Sequence, residues 1–274
     1  MRHWPLFALK VTTPRLELRL PSLDDLDQLA DRAAEGVHDP DFMPFGFPWT
    51  DVQPLERARG TIQHHFKQWS SWSPQNWQCS FVTIFEGQVV GTQEMDGLDF
   101  AVTRQVSTGS WIGQRFQGKG IGTEMRAAVL HLAFAGLGAE YATSAAFSDN
   151  HRSLAVSRKL GYRDDGISMH SRRGRIARQQ RLRLAQDDWV TPRGSRFTIS
   201  NPVSPSSASS RTPARRLPDL PVLPPPCPDR RRQAVRPPVR RSLSRAGCCR
   251  APPPGERRPA VAHPAARCCS TRSR

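Results

Sequence analysis

A glycine-rich segment is the part of the chain whose residue types and spacing most clearly indicate chemistry. Gly118, Gly120 and Gly122 stand at alternate positions directly before an apolar segment with helical spacing. Glycine lets the backbone turn sharply and lets an anion approach its N–H groups closely. The first turn of a helix adds unpaired N–H donors and the positive end of the helix dipole. The sequence therefore predicts a phosphate-binding loop between a strand and a helix.

Three kinds of phosphate loop compete for this segment, and their spacing separates them. From Gly113 the chain begins like a P-loop, but Gly120 stands where that motif needs the Ser or Thr hydroxyl that holds Mg²⁺. A dinucleotide fingerprint needs its third glycine one residue later, although Glu140 lies near the distance expected for its acidic residue. The third template, Gln/Arg-x-x-Gly-x-Gly/Ala, matches from Gln117 to Gly122. A glycine-rich turn without a ligand is the remaining alternative.

Two further stretches, together with this loop, resemble motifs of one protein family. Residues Asn150 to Tyr162 read N-H-R-S-L-A-V-S-R-K-L-G-Y. Together with Q-G-K-G-I-G, this stretch resembles the GNAT superfamily of N-acyltransferases, whose second motif is N-x-x-S-x-x-V-x-x-K-x-G-F/Y. The opening T-P-R-L-E-L-R-L-P-S-L-D-D-L-D-Q-L-A, from Thr13 to Ala30, looks like the ribosomal-protein alanine acetyltransferase-like branch. The resemblance covers approximately residues 8–190.

The resemblance implies acetyl-CoA, or another acyl-CoA such as succinyl-CoA, as the co-substrate. In this family two strands splay apart and admit the pantetheine arm, whose amides pair with the exposed edge of the first strand, here near Trp111 and Ile112. The N–H groups of the glycine loop would bind the pyrophosphate, and Asn150 would contact the pantetheine, cap its helix, or do both. The implied cofactor-binding residues are Trp111, Ile112, Gln117, Gly118, Lys119, Gly120, Ile121, Gly122, Thr123, Asn150 and Ser153.

The implied reaction is direct attack of a primary amine on the thioester in a ternary complex, with backbone N–H groups stabilising the oxyanion. Because amines are protonated at pH 7, a base or a water chain must accept a proton. The candidate bases are Glu94, His38 and Asp39, and a structural or solvated role is the alternative for each. Cys79 has no partner histidine nearby in the sequence. A covalent acyl-cysteine route is therefore disfavoured.

The group that protonates the departing thiolate is left open. Many GNAT members place a tyrosine seven residues after the motif asparagine, and here that position is Ser157. A serine hydroxyl is a poor acid. Protonation by Ser153 or Ser157 through water, and departure as a free thiolate of pKa about 8.5, both remain open. Ser153 is equally open to being a plain helix-surface residue, and the sequence predicts no metal site.

Composition divides the chain into a domain at 1–190 and an Arg/Pro-rich tail at 191–274. The tail carries +15 of the total formal charge of +16, with 18 arginines, 17 prolines and three acidic residues. It cannot bury enough apolar surface to offset an ordering cost of about 1 to 2 kcal/mol per residue. We therefore predict a disordered tail, either native or an out-of-frame reading. Its five cysteines have no zinc-site spacing.

The periodicities predict an α+β fold with α/β/α layers. Seven strands are expected, at residues 13–20, 77–85, 88–95, 102–113, 140–147, 162–170 and 180–184. Helices are expected after the cap Ser22, at 54–69 with Ile62, Phe66 and Trp69 on one stripe and His64 and His65 solvated, after the glycine loop, and at 150–159. This order gives a mixed, mostly antiparallel twisted sheet of six to seven strands with helices on both faces. The aromatic loop 36–50 is expected to be a lid, a pocket lining, or both.

The remaining expectations concern partners and location. The acceptor would be a protein N-terminus, a lysine or a small-molecule amine. The alternatives are a non-catalytic CoA-binding or interaction module, and salt-dependent nucleic-acid binding through the basic tail. The chain has no apolar stretch of about 20 residues and no signal-like segment at its start, which favours a bacterial, cytoplasmic protein without membrane contact. A homo-oligomer is compatible with the sequence.

Overall fold

The strands form one nine-stranded sheet, described here from a computed structural model that covers residues 3–192 and 194–200. The strand order is β7-β8-β6-β5-β4-β3-β2-β1-β9, and among the described strands only the β5–β6 pair is parallel. The strands are β1 (Lys10–Thr12), β2 (Leu16–Arg19), β3 (Asn76–Phe85), β4 (Gln88–Leu98), β5 (Gln105–Ile112), β6 (Tyr141–Phe147), β7 (Arg163–Arg172), β8 (Arg175–Ala185) and β9 (Thr198–Ser200). The predicted mixed, mostly antiparallel sheet flanked by helices is confirmed.

Helices cover both faces of this sheet. They are α1 (Leu23–Glu35), α2 (Pro54–Ser71), α3 (Phe100–Thr103), α4 (Ile121–His131), which continues as a π-helical segment (Leu132–Leu137), and α5 (His151–Lys159). Leu29 of α1 packs on Val82 of β3, whereas the neighbouring Phe81 belongs to the main core together with Met125 of α4. Because adjacent strand residues face opposite sides, α1 and α4 lie on opposite faces. No helix in the described ranges is long and apolar enough to cross a membrane.

Local signals place several element ends correctly. The Ser22 hydroxyl accepts from the Asp25 backbone N–H at 3.1 Å, and the Asp25 carboxylate accepts from the Ser22 N–H at 2.8 Å, so α1 begins with a capping box. Glu86 and Gly87 turn β3 into β4 with φ values of 50° and 76°, as a two-residue hairpin requires. These features depend only on residues that are close in sequence.

The structure corrects three boundaries. Residues Phe100–Thr103 form the short helix α3, so β5 begins at Gln105 and not at 102. Strand β8 begins at Arg175, five residues before the expected start, because the β7–β8 hairpin closes at Arg173 and Gly174, both with positive φ. The sheet has nine strands because the three-residue strands β1 and β9, which are too short to show a period, extend one edge.

The ordered chain continues beyond residue 190, where the sequence analysis ends the domain. Strand β9 pairs with β1 from Thr198 to Ser200, and the Phe197 ring stacks on His131 with centroids 4.9 Å apart. These contacts join elements far apart in the chain, which a composition boundary does not register. The tail prediction for 201–274, with its five cysteines, lies outside the described residues.

Candidate cofactor and acceptor site

The glycine loop presents free backbone donors at the start of α4. Gly118 and Gly120 have φ values of 78° and 79°, a conformation that side chains with a Cβ rarely adopt. The Thr123 and Glu124 N–H groups both donate to the Gly120 carbonyl, 3.2 Å away. The N–H groups of residues 118–122 donate to no acceptor in the described part of the chain. The loop can therefore offer several N–H donors to one anion.

Gln117 connects the loop to its surroundings. Its side-chain amide donates to the carbonyls of Ile112, at 2.9 Å, and Val37, at 2.7 Å. Its side-chain oxygen accepts from Arg152 on α5, at 3.1 Å. Gln117 thus ties the loop to the end of β5 and to the segment after α1, and places a cation beside the loop.

Arg15 contacts the glycine loop, although the sequence analysis did not select it. Its guanidinium pairs with Glu124 in the first turn of α4 and donates to the Lys119 carbonyl at 3.2 Å. A Cβ on Gly120 would lie 3.4 Å from Nη2 of Arg15. The contact spans more than 100 positions of sequence, so no local pattern reveals it. Together with Lys119 and Arg152, Arg15 makes the surroundings of the loop cationic.

Strands β5 and β6 diverge next to this loop. They pair only from Gln105 to Ser107 on β5 and from Tyr141 to Thr143 on β6. Beyond these residues β5 runs on to Ile112 and β6 to Phe147. The β6 side of Gly109 to Ile112 therefore has no strand paired to it among the described residues. The predicted edge residues Trp111 and Ile112 lie on this open part of β5.

The second predicted motif forms the start and the inner face of α5. Asn150 caps the helix, because its Oδ1 accepts from the Ser153 N–H at 3.2 Å. Ser153 is half-buried, while Ser157 is fully buried and donates from its Oγ to the Ser153 carbonyl at 3.2 Å. Nη1 of Arg126 donates to the same Ser157 Oγ at 3.4 Å. The Ser157 proton therefore points into its own helix.

Glu94 lies on the α2 face of the sheet, beside the point where β5 and β6 separate. Its Oε1 is 3.2 Å from Nε2 of His64 on α2, and Oε2 lies 3.6 Å from the position that a Cβ on Gly109 would take. Gln68 also contacts Nε2 of His64, at 2.6 Å. The Glu94 side chain is 24% exposed, so it is reachable from solvent.

Helix α2 turns a polar stripe toward this face, contrary to the prediction for that helix. Its buried residues are Thr61, His65 and Gln68, while Phe66 is 44% exposed. Phe66 and Trp69 instead pack toward Phe7 in the 3-10 turn Pro5–Ala8, which covers the apolar side of α2. The predicted stripe therefore has Phe66 against Trp69 and Trp69 against Phe7 of the N-terminal segment. The prediction that His65 is solvated is therefore wrong.

The contact between α2 and the sheet contains titratable groups that the sequence analysis did not select. Burial and the nearby Glu94 carboxylate raise the pKa of Asp96 to about 6. Burial lowers the pKa of His65 to about 4, against the attraction of Glu94. Nδ1 of His65, Oε1 of Gln68 and Oγ of Ser80 are buried without a hydrogen-bond partner among the described residues. These partnerless polar atoms show that α2 meets the sheet through a polar contact and not through an apolar core.

Folding stability is expected to depend on His65 between pH 6.5 and 4. Because its folded-state pKa of about 4 lies below the ordinary 6.5, the unfolded chain binds a proton in this window and the folded chain does not. Wild type should lose stability relative to His65→Gln as pH falls from 6.5 to 4, by on the order of 3 kcal/mol. Urea unfolding of both proteins across this range measures the difference.

The matched control for this experiment is Asp96→Asn. The pKa of Asp96 is raised to about 6, so Asp96 gains a proton in the folded chain first and acts in the opposite direction. The Asn variant should lose stability more steeply than wild type as pH falls from 6 to 4. A constant stability difference between wild type and His65→Gln at all pH values would contradict the assignment to His65.

The other two candidate bases lie in the loop between α1 and α2, residues 36–53. Nε2 of His38 contacts Oγ1 of Thr50 at 2.7 Å, and its Nδ1 contacts the Asp39 carbonyl at 2.8 Å. The Asp39 carboxylate accepts from the Asp41 N–H at 3.0 Å. The structure thus gives His38 and Asp39 contacts within their own loop and does not bring them to Glu94.

The same loop packs on β5 through aromatic rings. Phe45 lies 5.2 Å from Trp49, and Trp49 lies 5.6 Å from Trp111, measured between ring centroids. The hairpin tip between β7 and β8 holds the loop from the other side. There Arg173 makes two hydrogen bonds to Asp51, at 2.6 and 2.7 Å. The loop therefore both covers the sheet and lines the space beside Trp111.

Other chemistries have little support in the described residues. Burial raises the pKa of the Cys79 thiol to about 12, so this thiol is not a nucleophilic thiolate at neutral pH. Within 3–192 and 194–200, no group of three or more His, Cys, Asp or Glu side chains could hold a metal ion. The free donors of the glycine loop and the Glu94 face remain as the places where chemistry can occur.

Comparisons with known proteins agree with this arrangement. A family model described as an acetyltransferase (GNAT) domain matches residues 15–163. Mycobacterium smegmatis RimJ, solved in complex with CoA-disulfide, superposes with a TM-score of 0.55 at 16% identity, over 67% of this chain and 90% of that chain. A GCN5-related N-acetyltransferase from Brucella melitensis gives 0.53 at 20% identity, over 66% and 80%. A GNAT-family acetyltransferase from Bacillus anthracis gives 0.52 at 17% identity, over 65% and 99%. At these identities the structural matches establish a shared fold.

Proposed function

Because the chain belongs to the acetyltransferase (GNAT) domain family, we propose that it is an N-acyltransferase that moves an acetyl group from acetyl-CoA to a primary amine. The observation that carries this proposal is the joint position of three features. The free N–H groups of residues 118–122 lie at one end of the diverging strands, the open edge of β5 follows, and Glu94 stands beside Gly109. This arrangement places an anion site, an open strand edge and a base one after another in space.

The loop residues fit a diphosphate. Gly118 and Gly120 supply left-handed backbone, and the start of α4 adds the positive end of its dipole. Lys119, Arg15 and Arg152 supply positive charge around the loop. We infer that the N–H groups of 118–122 bind the pyrophosphate of acyl-CoA and that the Gly109–Ile112 edge pairs with the pantetheine amides. Gln117 serves mainly to position the loop.

We assign proton removal to Glu94. An incoming amine arrives as an ammonium ion, which the carboxylates of Glu94 and Asp96 attract to the α2 face of the sheet. Glu94 then accepts the proton, and its contact with the exposed His64 offers a route for that proton to solvent. The neutral amine attacks the thioester carbonyl carbon directly, without a covalent enzyme intermediate.

The acceptor is proposed to be a protein N-terminus. The opening motif from Thr13 to Ala30 supports the ribosomal-protein alanine acetyltransferase-like branch. The Glu94 side chain is 24% exposed, so a chain end can approach it. A lysine or a small amine is the alternative acceptor, and succinyl-CoA is the alternative donor.

Mass spectrometry of acyl transfer tests the proposal. The purified protein is incubated with acetyl-CoA or succinyl-CoA and either a panel of amines or a protein extract, with a reaction lacking the protein as control. We expect a mass increase corresponding to one acetyl group on a primary amine, and identification of the modified peptide reveals the acceptor class. Calorimetric CoA binding with no transfer to any acceptor would instead indicate a non-catalytic CoA-binding module.

A further inference from the structure

Arg126 of α4 is a buried cation that the proposed function leaves unexplained. Its side chain is 4% exposed, yet no carboxylate pairs with it in the described part of the chain. Removing a charge from water costs several kcal/mol when no opposite charge compensates for it. A buried guanidinium with neutral partners alone is therefore a place where an anion would be stabilised.

The guanidinium bridges the two strands just beyond their point of divergence. Nη2 donates to Ser110 Oγ on β5 and Nη1 donates to Ser144 Oγ on β6, both at 3.2 Å. Nη1 also reaches Ser157 Oγ on α5 at 3.4 Å, and Nε is buried with no acceptor in the described residues. These three hydroxyl groups are neutral, and so is the buried hydroxyl of Tyr162, which also lies beside the guanidinium and whose pKa is raised by burial. Arg126 thus places its charge at the inner end of the gap between β5 and β6.

The position of the Arg126 guanidinium determines which negatively charged group of a bound acyl-CoA it can contact. The gap begins at the glycine loop, where the N–H donors bind the diphosphate in the proposed function, and Arg126 lies six residues beyond the cap Gly120. Six helical residues advance by roughly 9 Å along α4. Arg126 therefore lies along the pantetheine arm and beyond the diphosphate. Its contact with Ser157, the position at which many GNAT members place the tyrosine that protonates the departing thiolate, brings it to the thioester end. Glu94 lies on the opposite face, where the amine enters.

We propose that the Arg126 guanidinium receives the negative charge that develops on the coenzyme A sulfur during acyl transfer. This proposal rests on the proposed function. After the ammonium proton has passed from Glu94 through His64 to solvent, the neutral amine nitrogen forms a bond to the carbonyl carbon and loses a second proton to Glu94. The carbon–sulfur bond breaks, and its electron pair stays on the sulfur as a thiolate beside Arg126. Ser157 cannot readily act as the acid, because its proton is directed to the Ser153 carbonyl.

Binding of CoA and of desulfo-CoA, in which a hydrogen atom replaces the thiol, tests the proposal without turnover. If Arg126 stabilises the thiolate, wild type should bind CoA more tightly than desulfo-CoA as pH rises from 7 toward 9. A preference of about tenfold corresponds to a fall of about one unit in the pKa of the bound thiol. Arg126→Met should bind desulfo-CoA as wild type does and lose the preference, and Arg126→Lys should retain part of it.

The matched control is Arg183→Met on β8, an exposed arginine stacked on Tyr141 and away from the gap. This variant should retain the full CoA preference. Turnover of Arg126→Met should fall about 10- to 100-fold in kcat, as expected for loss of one electrostatic contact to the leaving group. The KM for acetyl-CoA should change little.

Ultraviolet absorbance of the thiolate in the wild-type complex provides a readout that needs no variant. If bound CoA titrates at the same pH as free CoA, the proposal is overturned, even where Arg126→Met fails to fold. The proposal is also overturned if Arg126→Met changes the relative turnover of succinyl-CoA and acetyl-CoA but keeps the preference for CoA over desulfo-CoA. That result would assign Arg126 to binding of an acyl carboxylate. If wild type binds neither CoA nor desulfo-CoA, the proposed function fails as well.

Discussion

Replacing Gly120 by valine is expected to weaken CoA binding by at least about 100-fold. At φ 79° a β-branched residue is strained, so the loop must rearrange, and the new Cβ would also lie 3.4 Å from Nη2 of Arg15. The loop N–H groups would then no longer converge on one anion. Loss of two charge-assisted hydrogen bonds of about 1.5 to 3 kcal/mol each corresponds to this change in affinity. Isothermal titration calorimetry with CoA measures it.

The control for backbone strain is Gly87→Val. Gly87 has nearly the same φ, 76°, lies in the β3–β4 turn and has open space around its Cβ position. This variant should lose a similar amount of stability in thermal unfolding and bind CoA as wild type does. Equal CoA affinity in Gly120→Val and wild type would refute the assignment of the loop as the diphosphate site.

Replacing Glu94 by glutamine is expected to lower kcat by about 10²- to 10⁴-fold, the usual range for removal of a general base. Glutamine preserves the size of the side chain and its contact with His64, but it cannot accept the ammonium proton. The acid limb of the wild-type pH profile of kcat/KM should disappear or shift in the variant. Steady-state acetylation of the acceptor identified by mass spectrometry, measured across pH, provides both values.

Three further variants show whether the loss is specific to Glu94. Glu17→Gln removes a surface carboxylate on β2 that pairs with Lys10 and should leave kcat unchanged. His38→Gln and Asp39→Asn alter side chains whose contacts lie within the loop 36–53, and each should retain most of the activity. A large loss in His38→Gln with normal activity in Glu94→Gln would move the base to the loop.

Features that depend on neighbouring residues could be predicted from the sequence. The alternate glycines of residues 118–122 require left-handed backbone at the start of α4, and the structure has positive φ at Gly118 and Gly120. Ser22 caps α1 as predicted and forms a capping box with Asp25, three positions further on. Strand periodicity also predicted the mixed sheet and most of its strands. In each case the spacing along the chain sets the local dihedral angles or places the partner one helical turn away.

Features that depend on contacts between distant residues needed the tertiary structure. The helical period of α2 is visible in the sequence, but only packing shows that Phe7 takes its aromatic side and that His65 faces the sheet. The pairing of Arg173 with Asp51 joins residues 122 positions apart.

The candidate site likewise has one part set by neighbouring residues and another part set by contacts between distant residues. The glycine loop is contiguous, so the residue types between Gln117 and Thr123 were enough to predict its turn at the start of α4. The placement of Glu94 beside His64, and of Arg126 between Ser110 and Ser144, arises only when β4, β5, β6 and α4 pack together. Sequence spacing determines backbone conformation within one element, whereas the sheet and its packed helices decide which side chains from different elements share one space.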